Sequence, residues 1–159
     1  MISCRKATEA DMLLYFEWAN DEEVRKQSYQ SEPIDLEQHT NWFYKKLNDT
    51  NCLLLLFENE NKQPVGQVRF QKEDLHSFVI GISLAKEHRG KGLATELLQT
   101  AANHFLQLNP DKTINAYIKQ DNEGSIKSFI KAGFVFGQHA IIEGKESVLY
   151  IKTKTDADS

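Results

Sequence analysis

Two cysteines in 159 residues, Cys4 and Cys52, are too few for a disulfide framework. Each stands among apolar neighbours, so both are expected as small core residues in a reducing compartment. Long apolar runs are missing as well. The run Cys52-Leu53-Leu54-Leu55-Leu56-Phe57 has strand length, far short of the roughly 20 residues that cross a bilayer. The N-terminus lacks the charged-then-apolar order of a signal peptide, which makes a cytoplasmic location the expectation and a membrane partner not one. A basic surplus is absent too. The formal net charge is −4 and the lysines are scattered, which argues against nucleic acid as a partner but leaves room for a local basic pocket. No internal repeat, low-complexity segment or linker interrupts the chain. With 40% hydrophobic and 26% charged residues, residues 1–159 read as a single globular domain with a substantial core.

What is there alternates strand and helix signals. Residues 1–6 read as a strand. Thr8 with Asp11 makes an approximate capping box for a helix to about Asn20. A short helical turn over residues 22–27 leads into a polar loop with Pro33, and Asp35 caps a helix to about Asn48. In that helix Leu36, Thr40, Phe43 and Leu47 form the expected core face, with His39, Trp42 and Lys46 on a neighbouring one. Strands follow at 51–58 and 64–71, and 77–85 reads as a strand buried on both faces. A helix from Gly92 is stopped by Pro110, 113–119 is a strand, and Asn122 caps a helix that Gly133 ends. Two strands, 134–139 and 147–153, close the chain. This order indicates a mixed sheet with helices packed on it.

The most informative segment lies between the strand at 77–85 and its following helix: Arg89-Gly90-Lys91-Gly92-Leu93-Ala94-Thr95. A glycine turn at a helix N-terminus presents backbone N–H groups to a phosphate. The spacing of a nucleotide-triphosphate loop is absent, because no glycine precedes a Gly-Lys-Ser/Thr by four residues. The dinucleotide pattern lacks its third glycine. Arg-x-x-Gly-x-Ala remains, in Arg89 to Ala94.

With that motif the chain resembles the GNAT superfamily of N-acetyltransferases. The block from Asn122 through Ser125 and Phe129 to Gly133-Phe134 is similar to a second element of the same family. The resemblance implies an α/β (α+β) fold. Its central sheet is mixed and mostly antiparallel, with about seven strands and about four flanking helices, splayed between the strands at 78–85 and 113–119. It implies acetyl-coenzyme A as cofactor and no metal. Ile82, Ser83 and Leu84 would offer backbone bonds to the pantetheine and the acetyl carbonyl. Arg89, Gly90, Lys91, Gly92, Leu93, Ala94 and Thr95 would hold the pyrophosphate. Asn122 and Ser125, with Phe129 beside them, would contact the pantetheine or the phosphate arm.

The implied reaction is direct acetyl transfer to an amine, without a covalent enzyme intermediate. Many relatives carry a tyrosine as acid where this chain has Phe129, which has no proton to give. The candidates left for catalysis are Tyr117, whose strand face it shares with Asn115; Ser83; and His39, whose ordinary pKa suits a base. Segments between Phe16 and Phe70 resemble one subgroup, the acetyltransferases of the pseudaminic-acid pathway. That makes the 4-amine of a UDP-linked amino-deoxy sugar the first acceptor expectation, with Arg25 and Arg69 on phosphate, Trp42 stacked on a ring, and Ser28, His39 and Gln67 hydrogen-bonding. Alternatives are a protein N-terminus, a small amine or polyamine, or a coenzyme-binding domain without catalysis. The partner is expected to be a small molecule and the protein a monomer or homodimer.

Overall fold

Caps set where the helices begin. In the computed structural model, which describes residues 2–154, Asp21 accepts from the N–H groups of Glu23 and Val24 and opens α2 (Glu22–Gln27). Asp35 does the same from Gln38 for α3 (Leu36–Leu47), and Asn122 from Ser125 for α5 (Glu123–Lys131). Thr8 and Asp11 form the capping box ahead of α1 (Met12–Ala19). Gly133, at φ 98°, takes the left-handed position after α5. The remaining helix, α4 (Leu93–Leu108), starts from Gly92 with no side-chain cap.

Seven strands form one sheet: β1 (Ser3–Lys6), β2 (Cys52–Glu58), β3 (Pro64–Lys72), β4 (Ser77–Leu84), β5 (Thr113–Lys119), β6 (Val135–Ile142) and β7 (Lys145–Thr153). Their spatial order is β1-β2-β3-β4-β5-β7-β6, antiparallel throughout except between β4 and β5. Period-2 alternation divides the faces. Val68, Phe70, Ile80, Ile114, Ala116 and Ile118 pack under α4 and α5, where Phe70 stacks on Phe105 at 4.5 Å. On the opposite face Leu54 and Leu56 pack with Tyr15, Trp18 and Phe43 of α1 and α3. Among the described residues no helix is long and apolar enough to cross a membrane.

The mixed, mostly antiparallel seven-stranded sheet with flanking helices is as expected, with five α-helices among the described residues, 22–27 being one of them under its Asp21 cap. Three expectations are corrected. The buried residues of α3 are His39 and Phe43, whereas Leu36 is 46% exposed; aromatic neighbours favour the imidazole over a leucine at the helix mouth. Cys4 is exposed, because it lies on the edge strand β1, and Cys52 is only half-buried. β4 is not buried on both faces, since most of its residues past Ser77 are half-buried. Its far end leaves the sheet contact with β5.

Gly66 illustrates how tightly the sheet is closed against α4. A Cβ there would lie 2.7 Å from the Ser83 carbonyl oxygen and 2.9 Å from Leu97 Cδ2. Gly66→Ala is therefore expected to cost about 1–3 kcal/mol through overpacking, lowering Tm by several degrees. A thermal melt matching the parent would show that β4 and α4 yield without strain.

Candidate active site

β4 and β5 are partners only at the start. Ser77, Phe78 and Val79 pair with Thr113, Ile114 and Asn115, after which β4 stays with β3 and β5 with β7. Past Val79 the β5-facing backbone groups of β4 have no strand opposite them, and such groups require another partner. The opening is a groove of about 460 Å³. Ile82, Ser83, Leu84, Arg89 and Ala94 line one side, and Ile118, Asn122, Ser125 and Phe129 the other.

The outer end of this groove is the glycine turn. Gly90 (φ 76°) and Gly92 (φ 75°) both adopt the left-handed conformation, and a Cβ on either would meet nothing within 4 Å. The first N–H groups of α4 carry no side-chain cap at this end of the groove, an arrangement suited to an anion. Arg89 anchors the turn. Its guanidinium donates to Asp21 Oδ1 at 2.7 Å and to the Leu84 carbonyl at 3.1 Å, tying the start of α2 to the end of β4.

A second and larger cavity, about 1160 Å³, adjoins the groove. Ser28, Tyr29, Ile80, Gly81 and Tyr117 line both. Its roof is the loop between α2 and α3. Arg25 organises that loop by donating to the carbonyls of Gln30 (2.9 Å) and Glu32 (3.2 Å) and to Ser28 Oγ (3.1 Å). Tyr29 bonds Ser147 of β7 at 2.7 Å, and Gln30 bonds Glu143 at 3.1 Å, fastening the loop across the splayed strands.

At the junction Tyr117 donates to Glu73 Oε2 at 2.9 Å. Asn115 and Ser77 donate to the other oxygen of Glu73, at 3.0 and 3.2 Å. Burial first, and then the Glu73 carboxylate, push the Tyr117 phenol up to about 12. It stays protonated at neutral pH, with its one proton directed at Glu73. Glu73 lines the larger cavity and is exposed to it.

A splayed parallel pair opening into a groove, with a basic glycine turn at its end, agrees with the family expected from the motifs. Residues 2–135 match the acetyltransferase (GNAT) domain family. The chain belongs to the GNAT acetyltransferases. A Nematostella vectensis N-acetyltransferase 9-like protein is 30% identical over 134 residues, covering 76% of this chain and 67% of that protein. An uncharacterized Methanocaldococcus jannaschii protein is 28% identical over 139 residues, or 84% of this chain, which spans only 28% of that relative's length. Among solved structures, Vibrio cholerae spermidine N-acetyltransferase in complex with CoA and spermine superposes with a TM-score of 0.86 at 19% identity, covering 95% of this chain and 94% of that one. An aminoglycoside acetyltransferase in complex with coenzyme A and kanamycin gives 0.83 at 19% identity, with 97% and 95% covered. At such identities the likeness is one of fold.

Within this GNAT domain several residues singled out from the sequence line the groove together: Ile82, Ser83, Leu84, Arg89, Ala94, Asn122, Ser125 and Phe129. Gly90, Lys91, Gly92, Leu93 and Thr95 complete the turn between or beside them. Others lie elsewhere. His39 lines neither cavity; it is 3% exposed among the rings of Phe16, Trp42 and Phe43, with Nε2 unpartnered. Burial lowers its pKa, partly opposed by a backbone hydrogen bond at Met12. Trp42 also lies outside both cavities and backs Arg69 instead, 5.5 Å from the guanidinium carbon to the ring centre. Gln67 donates to Ser83 Oγ at 2.8 Å, so it positions a groove residue from behind. Arg25 and Ser28 line the larger cavity, with the Arg25 Nη groups and the Ser28 hydroxyl already bonded within the loop and Arg25 Nε buried without a partner. The residue the sequence did not single out is Glu73. Nothing in its local pattern separates it from the other acidic side chains, since its place depends on how the β3–β4 turn folds against β5.

Proposed function

We propose that this chain transfers the acetyl group of acetyl-coenzyme A to a primary amine of a small molecule held in the larger cavity. The observation that carries the reading is the junction itself. The groove and the cavity meet at Gly81 and Tyr117, with Glu73 alongside. Bound in the groove, the coenzyme supplies an acetyl thioester, whose transfer forms a C–N bond and breaks a C–S bond. The α4 N-terminus with Lys91 binds the pyrophosphate, and the free edge of β4 from Ile80 to Leu84 orients the arm by backbone hydrogen bonds. Tyr117 and Asn115 hold Glu73 so that its carboxylate accepts the proton released by the attacking amine. Phe129, 3% exposed against Phe134, excludes water and donates nothing. The departing thiolate, with an ordinary pKa near 8.5, leaves without an acid from that position.

A nucleotide-linked amino sugar is the second acceptor reading. The size of the cavity favours it, because a volume of about 1160 Å³ accommodates more than a linear amine. The test is thiol release from acetyl-coenzyme A with UDP-amino sugars, polyamines, amino acids and peptide N-termini in turn. Amine-dependent thiol release with an acetylated amine as product is expected from a small-molecule acceptor. Release with peptides alone would redirect the reading to a protein N-terminus, and release with none would leave only coenzyme binding.

A further inference from the structure

Of the four arginines in the chain, three have oxygen partners. Arg5 pairs with Asp11 and Glu58, Arg25 with three loop oxygens, and Arg89 with Asp21 and Leu84. Arg69 has no hydrogen bond or ion pair among the described residues. It is half-buried on β3 directly opposite Gly81 of β4 and lines the larger cavity. Its guanidinium touches the Gly81 site, since a Cβ there would lie 3.3 Å from Nη2, and it rests on the Trp42 ring. Burial lowers its pKa, as desolvation of a cation must. A cation–π contact offsets part of that cost, but the hydrogen-bonding fork of the guanidinium remains unmatched.

Tyr117 of β5 lines the same cavity beyond Gly81, and the Glu73 it holds follows the end of β3, four residues past Arg69, so the cavity presents a cation and an anion at separate points. An acceptor whose amine faces Glu73 places its opposite end on the cation. We propose that Arg69 is an oxyanion receptor, selecting acceptors that carry a carboxylate or phosphate near the amine to be acetylated. The inference rests on the larger cavity being the acceptor site. Glu73 stands four residues past Arg69 at the end of β3, so amine and anion lie on the order of 10 Å apart, given a rise of about 3.3 Å per residue. Polycations are disfavoured by the same charge.

The test compares three matched amines, bearing a carboxylate, a phosphate ester or a neutral amide, by thiol release with the full chain and with Arg69→Gln and Arg69→Lys. The parent should prefer at least one anionic amine by on the order of 10–100-fold in kcat/KM, mostly through KM. Arg69→Gln should erase that preference, and Arg69→Lys should restore part of it, since a point charge replaces the fork. Which anion gains most tells carboxylate from phosphate. Equal kcat/KM for all three amines, or a preference that survives Arg69→Gln, overturns the proposal while leaving acetyl transfer intact. If no amine releases thiol, the acetyl-transfer reading fails, and calorimetric binding of the same amines to the coenzyme A complex decides the Arg69 assignment. Tighter binding of the anionic amines, lost in Arg69→Gln, supports it; equal binding overturns it.

Discussion

Replacing Glu73 by Gln lowers kcat by about 10²–10³ while leaving coenzyme A affinity unchanged, measured by thiol release and by calorimetric titration. The magnitude is that of a positioned general base. Glutamine has the size of glutamate, and its amide oxygen can accept the Tyr117 hydrogen bond that Glu73 accepts now at 2.9 Å. What it lacks is the capacity to take a proton as the amine attacks. The side chain is exposed toward the cavity, so folding is little affected. It does not line the coenzyme groove, so binding there has no reason to change. A variant with full kcat would assign proton removal to solvent and reduce Glu73 to an anchor for Tyr117 and Asn115.

The second large effect is on the coenzyme. Gly92→Val is expected to weaken coenzyme A binding at least tenfold (about 1.4 kcal/mol). Gly92 holds φ 75° as the residue before α4, a conformation in which a β-branched side chain is an outlier. Relief of that strain turns the first N–H groups of α4 away from where a pyrophosphate would bind. Gly144→Val is the control. It places the same side chain at φ 77° in the turn between β6 and β7, away from the groove. Both substitutions should lower Tm, and only the first should change coenzyme affinity. Equal affinity in the two variants would remove the glycine turn from the site.

Local chemistry made much of this legible in advance. Asp35, Asn122 and Gly133 announce helix ends because a cap or a positive φ depends on the residue type alone. The turn from Arg89 to Thr95 is readable for the same reason: two glycines and a missing third one exclude other phosphate loops by spacing. Three-dimensional pairing was not legible. Arg25 and Arg69 look alike in sequence, and only the folded loop shows that Arg25 is occupied by Gln30, Glu32 and Ser28 while Arg69 is not. His39 and Trp42 sit on a helix face that periodicity placed beside the core. Tertiary packing turned that face inward, burying His39 behind Phe16 and drawing Trp42 onto Arg69. Glu73 was hidden among 23 acidic residues, because its partners are Tyr117 and Asn115, more than 40 positions away.

A crystal structure of the protein with coenzyme A decides whether the splay of β4 from β5 brings a thioester against an amine beside Glu73. The pyrophosphate is expected on the N–H groups following Gly90 and Gly92, the arm between Ile82–Leu84 and Asn122–Ser125, and the sulfur at the junction with Tyr117. Coenzyme bound outside the groove, or with its sulfur pointing away from Tyr117 and Glu73, would contradict that arrangement.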